Sequence, residues 1–327
     1  MLAVSRLAAI VVLLLLAAVA DAQQPDKTYR IAYLAAAPRS SNQADLASFQ
    51  QGLRELGYVE GQNVVLETRF ADGKFERLAT LAHELVQLNP DVLFVSTTPG
   101  SLAAKAATAT IPIVFVAVAD PLGAGLVPNL ARPSGNVTGI THIVTELTGK
   151  RLELLKEIVP SASQIAVMVN PDDPNATGQI RNAEAAARTL GVELRPVVSV
   201  RDAGDLERGF DAIARSGARA VLRMVDPTSG PLRARTMELA ARYRLPMMFA
   251  MREHVEAGGL VAYGASLSEQ YRQAATFVHK ILRGARPGDL PVEQATRFEL
   301  VVNLKTAKTL GLTIPPSLLV RADRVIE

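Results

Sequence analysis

The chain has 327 residues, 49% of them hydrophobic and 20% charged, with 35 Lys and Arg against 32 Asp and Glu. A formal charge of +3 spread without any Lys/Arg block leaves no electrostatic footprint of a nucleic-acid partner, and the lack of cysteine excludes disulfides, thiolate nucleophiles and a lipid-carrying cysteine. A chain of this size without such staples needs large hydrophobic cores and divides into two domains.

Arg6 and the free amino terminus precede an unbroken apolar run from Leu7 to Ala20, and Ala20-Asp21-Ala22 fits the small-x-small site of a signal peptidase. Residues 1–22 therefore read as a signal peptide cleaved after Ala22, which places the mature chain in the periplasm. The apolar run is shorter than the roughly 20 residues of a spanning helix, and no later segment is long and apolar enough to span a bilayer.

From Arg30 onward, apolar runs of strand length alternate with segments of helical period, the mark of parallel βαβ units. The first half reads "RIAYLAAAP", a helix over Ala44 to Leu56, "NVVLETRF", a helix over Glu76 to Leu88, "DVLFVSTTPG", a short helix from Ser101, then "IPIVFVAVADP". An extended segment, "NVTGITHI", leads to a helix starting near Glu146. The second half repeats the order: "QIAVMVNPDDPN", a helix to Leu190, "VELRPVVSV", a helix over Leu206 to Ser216, "RAVLRMVDPTSG", a helix to Tyr243, then "LPMMFAMRE". Gly57 and Gly191 follow the first helix of each half, where glycine takes the left-handed conformation of a helix C-cap. "GGLVAYGAS" then leads to a helix over Ser268 to Arg283, and "PGDLPVEQATRFELVVNL" makes a last passage.

This order predicts an α/β protein of two doubly wound, Rossmann-like lobes joined by three crossovers, with a ligand cleft between the lobes. The expected division is 28–141 plus 266–294 for the N-terminal lobe and 142–265 plus 295–327 for the C-terminal lobe. A single large open sheet is the alternative.

Ligands of open parallel sheets bind beyond the carboxyl ends of the strands, so the strand-exit loops carry the candidate site. Ser96, Thr97 and Thr98 precede a helix whose free N–H groups and positive dipole end make an anion receptor; the bland reading is turn and cap chemistry. In "NPDDPN", Asn170 and Asn175 present amides on a backbone stiffened by two prolines. Asp226 follows the apolar "AVLRMV" and either accepts a hydrogen bond from a ligand amine or hydroxyl or caps the next helix. Arg252 either pairs with Asp226, holds a ligand carboxylate, or is a plain surface arginine. Asp120 reads as a structural turn shaping the cleft wall. His142 lies in the first crossover and is a candidate ligand contact.

An enzyme would need a nucleophile, base or metal constellation. The sequence has no G-x-S-x-G, no G-x-x-x-x-G-K-[ST], and no G-x-G-x-x-G between strand and helix. Its four histidines, His83, His142, His254 and His279, lack metal-ligand spacing. No catalytic residue, metal or cofactor is expected.

The blocks "GYVEGQNV", "LAAKAATATIPIVF", "DPLGAGLVPNLARPSGNVTG", "RLELLKEIVP", "VMVNPDDPN" and "FELVVNLKTAKTLGLTIPPSLLVRAD", behind an export signal, give the whole mature chain a resemblance to the ABC-transporter substrate-binding proteins of the tryptophan/tyrosine-uptake type. These are type I periplasmic binding proteins. The resemblance implies a monomeric two-lobed receptor that closes on a small ligand, an amino acid, aromatic acid or related carboxylate, and delivers it to an ABC permease in the inner membrane. It also implies that the ligand is held by strand-exit loops, which map onto Ser96, Thr97, Thr98, Asp120, Asn170, Asn175 and Asp226. A periplasmic sensing module presenting its ligand to a receptor kinase would have the same lobes and is the alternative.

The apolar run and its Ala-Asp-Ala end make one direct prediction. N-terminal sequencing of the exported protein should begin at Gln23, and recovery of the full-length chain from the cytoplasm would contradict it.

Overall fold

The computed structural model describes residues 27–327, so the expected signal peptide lies outside the described residues. The strands fall into two sheets. In the first, β1 (Tyr29–Ala35), β2 (Val64–Phe70), β3 (Val92–Ser96), β4 (Ile113–Val118), β5 (Val137–Thr141) and β11 (Glu293–Gln294) take the order β2-β1-β3-β4-β5-β11, with every pair parallel. The second holds β6 (Gln164–Val169), β7 (Glu193–Ser199), β8 (Ala220–Arg223), β9 (Met247–Phe249), β10 (Val261–Ala265), β12 (Phe298–Asn303) and β13 (Arg324–Ile326). Its order is β7-β6-β8-β9-β10-β12-β13. Here only β12 runs antiparallel to its neighbour β10. The single-sheet alternative is excluded.

Burial along each strand follows from its place in the sheet. Central strands of a parallel sheet are covered on both faces and read as continuous apolar runs; "VLFVS" of β3 is buried at every position. At the edge, "ELRPVVS" of β7 alternates exposed with half-buried residues, and Pro196 is tolerated there because an edge strand has one row of unpaired N–H groups.

The helices of the first lobe are α1 (Arg39–Glu55), α2 (Leu78–Gln87) and α3 (Thr98–Ala107). Those of the second are α4 (Thr148–Ile158), α5 (Ala176–Leu190), α6 (Ala203–Ser216), α7 (Arg233–Tyr243) and α8 (Arg252–Glu256). Gly191 closes α5 at φ 62°, and Gly57 follows α1 at φ 86°, as their positions in the sequence predict. One start differs: α3 begins at Thr98 and not at Ser101, because Pro99, with φ pre-set for a helix and no N–H to lose, sits in its first turn.

Three passages join the lobes: β5 to α4, β10 to α9 (Leu267–Leu282), and β11 to β12. Two short helices, α10 (Leu304–Leu310) and α11 (Pro316–Arg321), finish the second lobe. Helix α9 returns to the first lobe, where Tyr271, Ala274, Phe277 and Val278 join one apolar core with Ile31, Tyr33, Phe49 and Phe94. Among the described residues no helix is long and apolar enough to cross a membrane.

The seat of α9 depends on Gly52 of α1. A Cβ there would stand 2.5 Å from the Arg272 carbonyl oxygen and 2.9 Å from Ala275 Cβ. Gly52→Leu should destabilise the protein by at least the ~1–3 kcal/mol of core overpacking, read as a lower urea midpoint. An unchanged midpoint would show that the two helices do not need this close approach.

Candidate functional site

Strands β1 to β5 share one direction, and so do β6 to β10, so all their exits lie on one edge of each lobe. Those edges enclose a cavity of about 200 Å3. The first lobe lines it with Ser40, Ser41, Asn42 and Asp45 of α1, Thr97 and Thr98 at the β3–α3 turn, Ala117 and Ala119 around the end of β4, and Tyr271 of α9. The second contributes Asp173, Asn175, Asp226, Ser229, Arg233, Met251 and Glu253, while His142 and Val144 come from the first crossover.

Thr97 is the most constrained residue of the wall. Its N–H donates to Val116 O at 3.0 Å, and its carbonyl accepts from the N–H and hydroxyl of Ser101 at 3.0 and 2.8 Å. These bonds hold it at φ 71°, a left-handed conformation that a β-branched side chain disfavours. Its Oγ1 is buried with no partner. Behind it, the first N–H groups of α3 have no partner within the helix, and Pro99 of that turn has none to offer.

Thr98 connects the lobes. Its Oγ1 accepts a hydrogen bond from Asn175 Nδ2 at 3.0 Å and from Ala119 N–H at 3.4 Å. Asn175 is held in turn by Asp173, whose Oδ1 accepts from the Asn175 N–H and Nδ2, both at 2.7 Å. Burial pushes the Asp173 carboxyl up to about 7; the negative charge of Asp226 acts in the same direction, and the Asn175 hydrogen bonds oppose both. The lobes also approach at Gly230, where a Cβ would lie 3.6 Å from Ser41 Cβ.

His142 is buried, with Nδ1 2.6 Å from Gln270 Nε2. Burial lowers its pKa to about 4, so the ring is neutral at pH 7. With Nδ1 accepting from the amide, the proton resides on Nε2, which is buried and has no protein partner. This tautomer is assigned from the hydrogen-bond network.

Asp226 lines the cavity but is engaged elsewhere. Its Oδ1 accepts from the Thr228 N–H at 2.7 Å and from the Thr228 hydroxyl, and its Oδ2 lies 2.7 Å from Nη1 of buried Arg223. The contact is not aligned as a hydrogen bond, so the Arg223 charge alone holds Oδ2. Half-buried Asp45 has no such neighbour: burial first, and then Glu253 across the cleft, push its carboxyl up to about 7 against Arg252 and Arg233.

The candidates read from sequence divide cleanly. Thr97, Thr98, His142, Asn175 and Asp226 converge on the cavity. Ser96 is a core residue, 3.3 Å from the Tyr33 hydroxyl. Asp120 closes its own turn by accepting from Gly123 N–H at 2.8 Å, and Asn170 does the same for Asp172 N–H at 3.0 Å. Arg252 does not reach Asp226 and lies outside the wall, 3.3 Å from Glu299 and 3.5 Å from Glu253. Of the aromatics, Tyr33 is buried in the core with its hydroxyl 3.0 Å from that of Tyr271, and Tyr271 alone reaches the cavity. Sequence reasoning missed Asp45, Arg233, Glu253 and Tyr271. Asp45 had a signal, since it lies four residues after Ser41 on the same helical face; Tyr271 had none, because its helix returns from a distant part of the chain. No group of three metal-ligating side chains occurs among the described residues.

Two doubly wound lobes, three crossovers and a cavity lined from both lobes define the class: this is the two-lobed fold of periplasmic binding proteins. The sequence pattern of the ABC transporter substrate binding protein family matches residues 31–326, and the chain belongs to that family, a family of binding proteins and not of enzymes. It is similar to a tyrosine-binding protein of Clostridioides difficile (strain R20291), 26% identical over 267 residues, which are 81% of this chain and 75% of the relative. A conserved domain protein of Vibrio cholerae superposes with a TM-score of 0.86 at 32% identity, covering 91% of this chain and 100% of its own. An ABC domain from Streptococcus pneumoniae solved in complex with L-Trp gives 0.85 at 26% identity, covering 92% and 100%.

Two wall residues should separate in their effects on the ligand-free protein. Asp226→Ala strands the buried Arg223 charge and should cost about 3–5 kcal/mol of stability. Thr97→Gly removes the left-handed penalty and should leave stability equal or higher. Urea unfolding of both variants is the measurement, and a stable Asp226→Ala protein would make the ion pair dispensable.

Proposed function

We propose that the chain is the periplasmic solute receptor of an uptake transporter, that it acts as a monomer without a cofactor, and that its ligand is a small α-amino acid with an apolar or aromatic side chain. On this reading the lobes are 28–141 plus 266–294 and 142–265 plus 295–327, and they close on the ligand and hand it to an inner-membrane permease.

The observation that carries the reading is the cavity itself. Both lobes and the crossover between them supply its wall, and two of the wall residues carry buried polar atoms without a hydrogen-bond partner, Thr97 Oγ1 and His142 Nε2. Leaving such an atom unpaired costs about 1–3 kcal/mol, which a ligand with matching groups recovers. The wall is also amphoteric: the Thr97–Thr98 helix start and His142 are donors for a carboxylate, and Asp45 and Glu253 are acceptors for an ammonium. Alanines, prolines, Met251 and Tyr271 leave apolar wall for a side chain. The ligands named for the two relatives, tyrosine and L-Trp, have these parts.

Closure requires that the ligand bind the closed form better than the open one, and contacts from both lobes meet that condition. A thermal-shift screen of the mature protein against the amino acids, aromatic acids, short carboxylates and sugars tests the proposal. An amino acid at 100 times its Kd should add about 2.7 kcal/mol, with a compaction visible in small-angle scattering. Stabilisation by sugars alone, or binding without compaction, would overturn it.

A further inference from the structure

Arg151, in the first turn of α4, is 1% exposed, and no carboxylate of the described residues pairs with it. Burial alone acts on its pKa, lowering it to about 10, so the guanidinium remains charged at neutral pH. Nη2 donates to Val144 O and to Thr148 Oγ1, while Nε and Nη1 have no partner. A buried cation without a counter-ion is among the most costly arrangements in a protein interior, because neither water nor an opposite charge compensates it.

Its surroundings point towards the cavity. Val144, whose carbonyl it grips, lines the wall, as does His142. Arg151 is close enough to His142 for its charge to oppose protonation of that ring. His142 is 2% exposed and Thr145 is 8% exposed, and each keeps a buried polar atom without a partner, Nε2 and Oγ1. Arg151 and Thr145 do not line the cavity themselves; the crossover from His142 to Arg151 places their unsatisfied groups and one uncompensated positive charge behind the part of the wall formed by His142 and Val144.

We infer that the missing counter-ion of Arg151 is the carboxylate of the bound ligand, held at the His142 end of the cavity. This rests on the reading of the protein as an amino-acid clamp and specifies which end of the zwitterion goes where. Arg151 acts through the wall as a positioning residue: its field selects an anionic group, and His142 Nε2–H makes the contact. His142 and Val144 lie on the first passage between the lobes, and Arg151 is in the first turn of the helix that follows it.

Calorimetry with L-tryptophan, L-tyrosine and L-tryptophanamide on the wild type, Arg151→Gln and Arg151→Met provides the test. Glutamine keeps a donor for Val144 O while removing the charge, and methionine preserves the bulk. The wild type should prefer L-tryptophan to its amide by at least 100-fold. Both variants should lose at least ten-fold in affinity for the free amino acids, bind the amide as the wild type does, and unfold no more easily than the wild type without ligand. A wild type that binds the amide as tightly as the acid, or an Arg151→Gln protein that keeps the full preference, overturns the inference while leaving the clamp intact. Failure of the wild type to bind either amino acid overturns the clamp reading and this inference with it.

Discussion

The shared direction of β1 to β5, and of β6 to β10, is the constraint from which the site follows. In a parallel sheet every strand exit lies on one edge, and the helix that follows each strand starts there with free N–H groups. Two such edges facing each other create a polar space without any residue being placed for the purpose. Specific residues then decide what that space can hold, and three passages of chain connect the two lobes.

Polar groups in this wall have two different fates. Some satisfy one another: Asn175 links Asp173 to Thr98 across the lobes, and Arg223 with Thr228 occupies most of the Asp226 carboxylate. These groups tie the lobes to each other and shape the wall. Other buried polar atoms, in the wall and outside it, make no hydrogen bond, among them atoms of Thr97, His142, Thr145, Arg151, Arg223, Asp226, His254 and Gln270. The strained backbone of Thr97 belongs with these, since a non-glycine residue persists at φ 71° only where surrounding bonds over-determine it.

The charges of the wall are consistent with the zwitterionic ligand proposed for it. Asp45 and Glu253, one from each lobe, both line the wall, and the charge of Glu253 acts on Asp45. Like charges across a cleft oppose closure unless a proton or a cation lies between them, and the raised pKa of Asp45 is the proton's side of that balance. A ligand ammonium can replace the proton without the cost of leaving two carboxylates together.

The order of elements, the pairing of two similar halves and the polar strand exits were legible in the chain because they depend on local pattern. Apolar runs such as "VLFVS" can only be covered strands, and glycines such as Gly191 stop helices by their own conformational freedom. The loop carrying Thr97 and Thr98 was legible for the same reason. What a given polar side chain does with its hydrogen bonds was not, because a strand-exit Asp or Asn is equally able to cap its own turn, as Asp120 and Asn170 do, or to face the ligand. Only the tertiary structure brings Tyr271 from the returning helix and Asp45 from inside α1 to the cavity, and only it leaves Arg151 without an acid. Those outcomes depend on which distant groups meet in three dimensions, and the physical pattern of a single segment does not contain its partners.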